Sequence, residues 1–168
     1  SRPEMPPLEV NISGRSFDDP SLPYFIQKLL RDYGVDPGRL IIELTETAAV
    51  SDIQDAQRFI EAIHQTGCSV CLDDFGSGFS TFGYLKYLGI EILKIDGMFI
   101  RDLIKSPDNQ VFVKAMVDVA RGLGKSIIAE FVEDAATLNM IRELGVHYAQ
   151  GYYLGRPSAE LPGSFFRL

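Results

Sequence analysis

The sequence predicts an α/β protein built on a parallel sheet covered by helices, and three observations predict it. Short apolar runs alternate with longer segments of helical period along the whole chain. The short runs, such as Leu40-Ile41-Ile42 and Ile92-Leu93, are continuously apolar instead of alternating, as strands buried on both faces are. Glycines fall where the helical segments stop, as at Gly34, Gly124 and Gly145. Strict β–α alternation of this kind calls for parallel strands joined by crossover helices.

In order, Leu8-Glu9-Val10-Asn11-Ile12 reads as a strand, followed by a helix over about Pro20 to Tyr33 in which Phe25, Leu29 and Leu30 share a face. Leu40-Ile41-Ile42-Glu43-Leu44 is the second strand, and Asp52 to His64 the second helix, with Ile60 and Ile63 inward. Val70-Cys71-Leu72 is the third strand, and a glycine-rich turn leads into a helix through Tyr84-Leu85. Ile92 to Ile95 is the fourth strand, followed by a long helix over Phe112 to Leu123. Ser126 to Ala129 is the fifth strand, Asp134 to Leu144 the last helix, and Tyr148-Ala149-Gln150 a final short strand. Pro162-Gly163-Ser164 and Phe165-Phe166 read as a tail.

No linker, low-complexity stretch or charge block interrupts the 168 residues, so a single domain over 1–168 is expected. With 46% hydrophobic residues the chain has enough apolar material for a real core, which excludes disorder. No apolar run approaches the roughly 20 residues of a membrane span. The start, Ser1-Arg2-Pro3-Glu4, lacks a basic segment followed by an apolar one, and a cytoplasmic setting is expected. A net charge of -7 argues against DNA or RNA held by its phosphates, and leaves room for an enzyme that collects carboxylates around a cation. Cys68 and Cys71 imitate a redox or half-zinc spacing, but they lie in an apolar run without a second pair and read as buried thiols. Gly122-Leu123-Gly124-Lys125-Ser126 imitates a phosphate-binding loop, but its first glycine is missing and it runs from helix to strand, the reverse of the required order.

The informative feature is where polar residues fall. Asn11, Glu43, Asp73-Asp74, Lys94 with Asp96, Glu130 and Gln150 sit where apolar strands end. A parallel sheet gathers those ends on one side, and in a βα barrel that side carries the active site. Helix capping accounts for Asp74, Asp96 or Asp134 taken singly. It does not account for Glu43, Lys94, Glu130 and Gln150, which are poor caps. Hard oxygen donors with one lysine, and few histidines or cysteines, suit Mg²⁺ or Mn²⁺ better than zinc. Adjacent carboxylates such as Asp73-Asp74 repel unless a cation lies between them, and two divalent ions can clamp a phosphate and activate a water. Lys94 could hold that water or stabilise the developing charge. Metal-assisted phosphodiester hydrolysis fits, with a metal-dependent lyase or aldolase in competition. Gly76-Ser77-Gly78, after Asp73-Asp74-Phe75, lies in a βα loop where close backbone approach would serve a substrate lid.

Glu43-Leu44-Thr45-Glu46, Leu72-Asp73-Asp74-Phe75-Gly76-Ser77-Gly78-Phe79-Ser80, Tyr84-Leu85-Lys86, Leu93-Lys94-Ile95-Asp96 and Gln150-Gly151-Tyr152 together resemble the motifs of the EAL-domain family, bacterial cyclic di-GMP phosphodiesterases. The match runs in order from Val10 to Pro157. The resemblance implies a modified (β/α)8 barrel of TIM type that hydrolyses cyclic di-GMP to linear pGpG with two Mg²⁺ or Mn²⁺ ions. It implies Asn11, Glu43, Asp73, Asp74 and Glu130 as metal ligands, with Asp73 bridging the ions. Lys94, Glu130 and Asp74 would be catalytic, Lys94 and Glu130 organising or deprotonating the attacking water. Glu46 would anchor the loop that includes Gly76, Ser77, Gly78, Phe79 and Ser80, with Glu133, Gln150 and Gly151 in further support. The Glu-Ala-Leu signature and its strand are not in this sequence, so the barrel is expected to lack its first two strands and the helix between them, and the piece alone is expected to be inactive. Open edges invite a homodimer or another pairing chain, and regulatory domains are expected upstream. Where the family has glycine, Ala129-Glu130-Phe131-Val132-Glu133 carries Phe131. That departure motivates the alternative of a degenerate module acting as a cyclic di-GMP sensor or interaction platform.

Overall fold

The computed structural model describes residues 7–17, 19–78 and 82–158. Phe79 and Ser80 of the expected loop, and the tail at Pro162 to Phe166, lie outside the described residues. The chain forms two compact units, Ser1–Asp73 with Gly78–Glu91, and Asp74–Ser77 with Ile92–Leu168.

The first unit holds strands β1 (Leu8–Asn11), β2 (Leu40–Thr45) and most of β3 (Ser69–Phe75), with helices α1 (Ser21–Asp32), α2 (Glu46–Ser51) and α3 (Ile53–Thr66). β1 pairs with β2 and β2 with β3, both parallel. Ile42, Leu44, Ile60, Ile63, Val70 and Leu72 are buried and form its core. The inward pair Ile60 and Ile63 is as predicted, whereas of the three residues predicted to share a face of α1 only Leu30 is buried. Pro23, Ile26 and Leu30 are its buried residues, while Phe25 is 54% exposed and Leu29 also faces out. Pro23, Ile26 and Leu30 recur at three- and four-residue steps, and Phe25 and Leu29 each sit one position off that stripe. Helix α2, six residues long, has no periodic signal of its own and was not predicted. Its start is set by Thr45, whose hydroxyl accepts from the Ala48 N–H at 3.4 Å. The predicted helix through Tyr84-Leu85 is a five-residue 3-10 turn, Phe82–Lys86.

The second unit holds β4 (Ile92–Ile95), β5 (Ser126–Ala129) and β6 (Tyr148–Ala149), with helices α4 (Gly97–Ile100), α5 (Pro107–Gly122) and α6 (Ala135–Leu144). β4 pairs with β5 and β5 with β6, again parallel. Leu93, Ile95, Ile100, Leu103, Val113, Val117, Ile127 and Ile141 are buried in its core. α5 begins five residues before the predicted Phe112, because Ser106 caps it by accepting from the Asn109 N–H and Pro107 occupies its first turn. The polar opening Asp108-Asn109-Gln110 hides that start from a search for apolar period. Asp96 and Asp134 are caps, accepting from Met98 N–H at 2.8 Å and Thr137 N–H at 2.7 Å. Within each unit the hydrogen-bonded strand order follows chain order.

Cys68 and Cys71 are buried, and burial pushes the Cys68 thiol up, away from the reactive thiolate. Among the described residues no helix is long and apolar enough to cross a membrane.

Candidate metal centre

Register settles which strand-end residues share a face. Asn11 lies opposite Glu43, and Glu43 opposite Cys71. Side chains in register on parallel strands point the same way, and so do residues two apart on one strand. Asn11, Glu43 and Asp73 therefore belong to one face of the first unit. The same parity holds in the second: Lys94 lies opposite Ile128, and Ile128 opposite Tyr148. Glu130 and Gln150 stand two residues further on, so Lys94, Glu130 and Gln150 share a face. Glu43 in the first unit and Lys94 in the second are buried, at 3% and 4% exposure, and each is a departure from ordinary strand composition that marks the face it lies on.

Asp73 and Asp74 are consecutive, and in a regular strand their side chains would point to opposite faces. Asp74 has φ of +55°, one of two non-glycine residues with positive φ among those described. Aspartate tolerates that left-handed conformation better than most residues. The break in alternation accompanies the convergence of both carboxylates: Asp73, Asp74 and Glu130 each offer an oxygen, and these lie within 4.8 Å of one another. Three hard oxygen donors at that spacing fit Mg²⁺ or Mn²⁺.

Lys94 Nζ lies 3.0 Å from Glu130 Oε1, with side chains 5% and 15% exposed. The ammonium thus adjoins a carboxylate of the acidic cluster at a depth where water screens little. The turn after β3 is closed by the Ser77 N–H, which donates to the Asp74 carbonyl at 3.1 Å, and Gly76 has φ of +94°. A Cβ on Gly151 would lie 2.2 Å from the Val132 carbonyl oxygen, so this glycine lets two backbone segments approach. Glu133 and Gln150 line a cavity with Glu130 and Tyr152.

In the first unit Glu46 is buried at the start of α2. It accepts the Tyr84 hydroxyl at 2.6 Å, and its carboxyl carbon lies 3.6 Å from where a Cβ on Gly78 would be. Burial and the neighbouring carboxylate push the Tyr84 phenol well above its ordinary value. Tyr84, missed as a functional residue in the sequence, holds this glutamate. Tyr84→Phe removes a hydrogen bond to a charged group, and should lower the unfolding free energy by about 1.5–3 kcal/mol, read by denaturant titration.

The EAL domain model matches residues 2–157. The chain belongs to the EAL domain family. It is 34% identical over 150 residues to the cyclic di-GMP phosphodiesterase PdeB of Shewanella oneidensis, covering 89% of this chain and 18% of that protein. It is 35% identical over 150 residues to the probable cyclic di-GMP phosphodiesterase PdeA of Escherichia coli, covering 89% and 19%. Among solved structures, a PaMucR phosphodiesterase in complex with c-di-GMP matches with a TM-score of 0.85 and 35% identity, over 90% of this chain and 61% of that one. The EAL domain of FimX from Pseudomonas aeruginosa bound to c-di-GMP matches with a TM-score of 0.85 and 31% identity, over 90% and 62%. The parallel strands and helices of the two units thus match part of an EAL-type (β/α)8 barrel. This EAL chain spans less than two thirds of those solved domains and about a fifth of the length of the two phosphodiesterases.

Proposed function

We propose that the chain is part of one EAL domain over 1–168, and that the whole protein hydrolyses cyclic di-GMP to linear pGpG. The observation that carries the reading is the convergence of Asp73, Asp74 and Glu130 beside Lys94. The naming of the relatives as phosphodiesterases favours the enzyme over a degenerate sensor or platform.

Asn11, Glu43, Asp73, Asp74 and Glu130 would hold two Mg²⁺ or Mn²⁺ ions. When bound, the ions supply Lewis-acid stabilisation of the phosphoryl oxygens and an acidified water. Lys94 orients the attacking water through its ammonium, and Glu130 takes its proton. Asp74 completes the catalytic carboxylates. The water oxygen forms a bond to phosphorus as the P–O3′ bond breaks, and the released O3′ takes up a proton, leaving a 5′-phosphate on the linear product. Glu46, fixed by Tyr84, supports the loop of Gly76, Ser77, Gly78, Phe79 and Ser80. Glu133, Gln150 and Gly151 shape the neighbouring cavity. The protein works in the cytoplasm, under regulatory domains and as a homodimer or paired through exposed strand edges.

The test is hydrolysis of cyclic di-GMP with Mn²⁺ by the full-length protein, followed by chromatography for pGpG. Turnover to pGpG is expected, and none would overturn the reading. The isolated 168-residue chain should show no turnover under the same conditions, since the family's signature glutamate is outside it.

A further inference from the structure

Phe131 is the second non-glycine residue with a positive φ, +53°, among those described. In a bulky residue that conformation is an outlier that surrounding contacts must hold. Three contacts hold it. The Val132 N–H donates to the Gln150 carbonyl at 3.1 Å and fixes the chain on its C-terminal side. The ring lies against Gly97, where an added Cβ would come within 2.1 Å of it. The guanidinium of Arg101 sits over the ring, with its carbon 4.1 Å from the centroid.

This stack is one wall of a cavity of about 460 Å³ that Glu130, Glu133, Gln150 and Tyr152 also line. Glu130 ties the cavity to the metal centre. Glu130 and Glu133 make it acidic, and Arg101 is the only cation among its described lining residues. An anionic dinucleotide entering such a cavity needs a positive group, and an arginine stacked on an aromatic ring keeps its in-plane N–H fork available for paired oxygens. With Gly97 on the ring and Arg101 over it, the aromatic residue serves as a platform for the arginine.

We propose that Arg101 is a substrate-binding residue that grips a phosphate of the dinucleotide, and that Phe131 is the positioning residue that holds it there. The inference rests on the phosphodiesterase reading for its substrate. Phosphate is preferred over a base edge because the fork meets a negative ligand within an acidic cavity.

In the full-length protein with Mn²⁺, Arg101→Ala should raise KM for cyclic di-GMP about 10- to 100-fold while kcat stays within about threefold. Arg101→Lys, which keeps the charge and loses the fork, should recover part of the loss. Phe131→Leu should raise KM in the native background and do nothing further in the Arg101→Ala background, because it acts through Arg101. Gly97→Ala, which displaces the ring, should resemble Phe131→Leu. Equal weakening of cyclic di-AMP as a competitor supports phosphate contact, and loss confined to the guanine ligand overturns it. An unchanged KM in Arg101→Ala with native turnover overturns this inference alone. Native protein that binds cyclic di-GMP through Arg101 without turnover, read by calorimetry, overturns the enzymatic reading and keeps this one. Absence of both binding and turnover overturns both.

Discussion

Asp73→Asn in the full-length protein should lower kcat for cyclic di-GMP with Mn²⁺ by about 10²–10⁴-fold, the equivalent of several kcal/mol of metal-derived charge stabilisation. Asparagine keeps the shape and one oxygen donor but removes the negative charge. The remaining carboxylates of the cluster, Asp74 and Glu130, would then offer a bound cation one negative charge fewer. Two readings of the result are separable. If Asp73 holds metal, the Mn²⁺ concentration giving half-maximal activity should rise along with the fall in kcat. If Asp73 serves only the architecture of β3, the loss should appear as reduced thermal stability, with metal dependence unchanged.

Lys94→Met should be the second large loss, about 10²–10⁴-fold in kcat, as expected for a residue that orients the nucleophile or stabilises transition-state charge. Methionine fills the buried volume without the ammonium. Its removal also leaves Glu130 beside Asp73 and Asp74 without a cation 3.0 Å away. Breaking a fully buried pair costs about 3–5 kcal/mol, and the cost here should be smaller because Glu130 is 15% exposed. Added Mn²⁺ should restore that stability by neutralising the cluster, while kcat stays low. Activity restored by Mn²⁺ would show that Lys94 acts only as a counter-charge.

These two residues also show how far the chain could be read before folding. The strands were legible because burial on both faces demands continuous apolar runs, and Ile92–Ile95 and Ser126–Ala129 have the bounds their composition predicts. The polar residues at strand ends were legible because a buried glutamate or lysine is costly and rare, and Glu43 and Lys94 are indeed buried. Helix starts were less so. Ser106-Pro107 opens α5 through a polar first turn, and α2 has six residues in which no period can repeat. The stripe of α1 was misplaced because apolar residues crowd two adjacent faces, and only packing against α3 selects Ile26 and Leu30.

The composition and order of residues alone specify a parallel β–α protein, a set of mostly acidic and amide residues at strand ends and the family whose motifs it carries. Period, apolar continuity and motif spacing are local properties of the chain, and they are present before it folds. The tertiary structure decided which of those carboxylates meet. Strand alternation places Asp73 and Asp74 on opposite faces, and the positive φ of Asp74 accompanies the meeting of their carboxylates with that of Glu130. It also decided the surroundings of Phe131, which the sequence marked only as a departure from glycine. A left-handed backbone, a glycine seat at residue 97 and a stacked Arg101 are contacts between segments far apart in the chain, and local pattern carries no record of them.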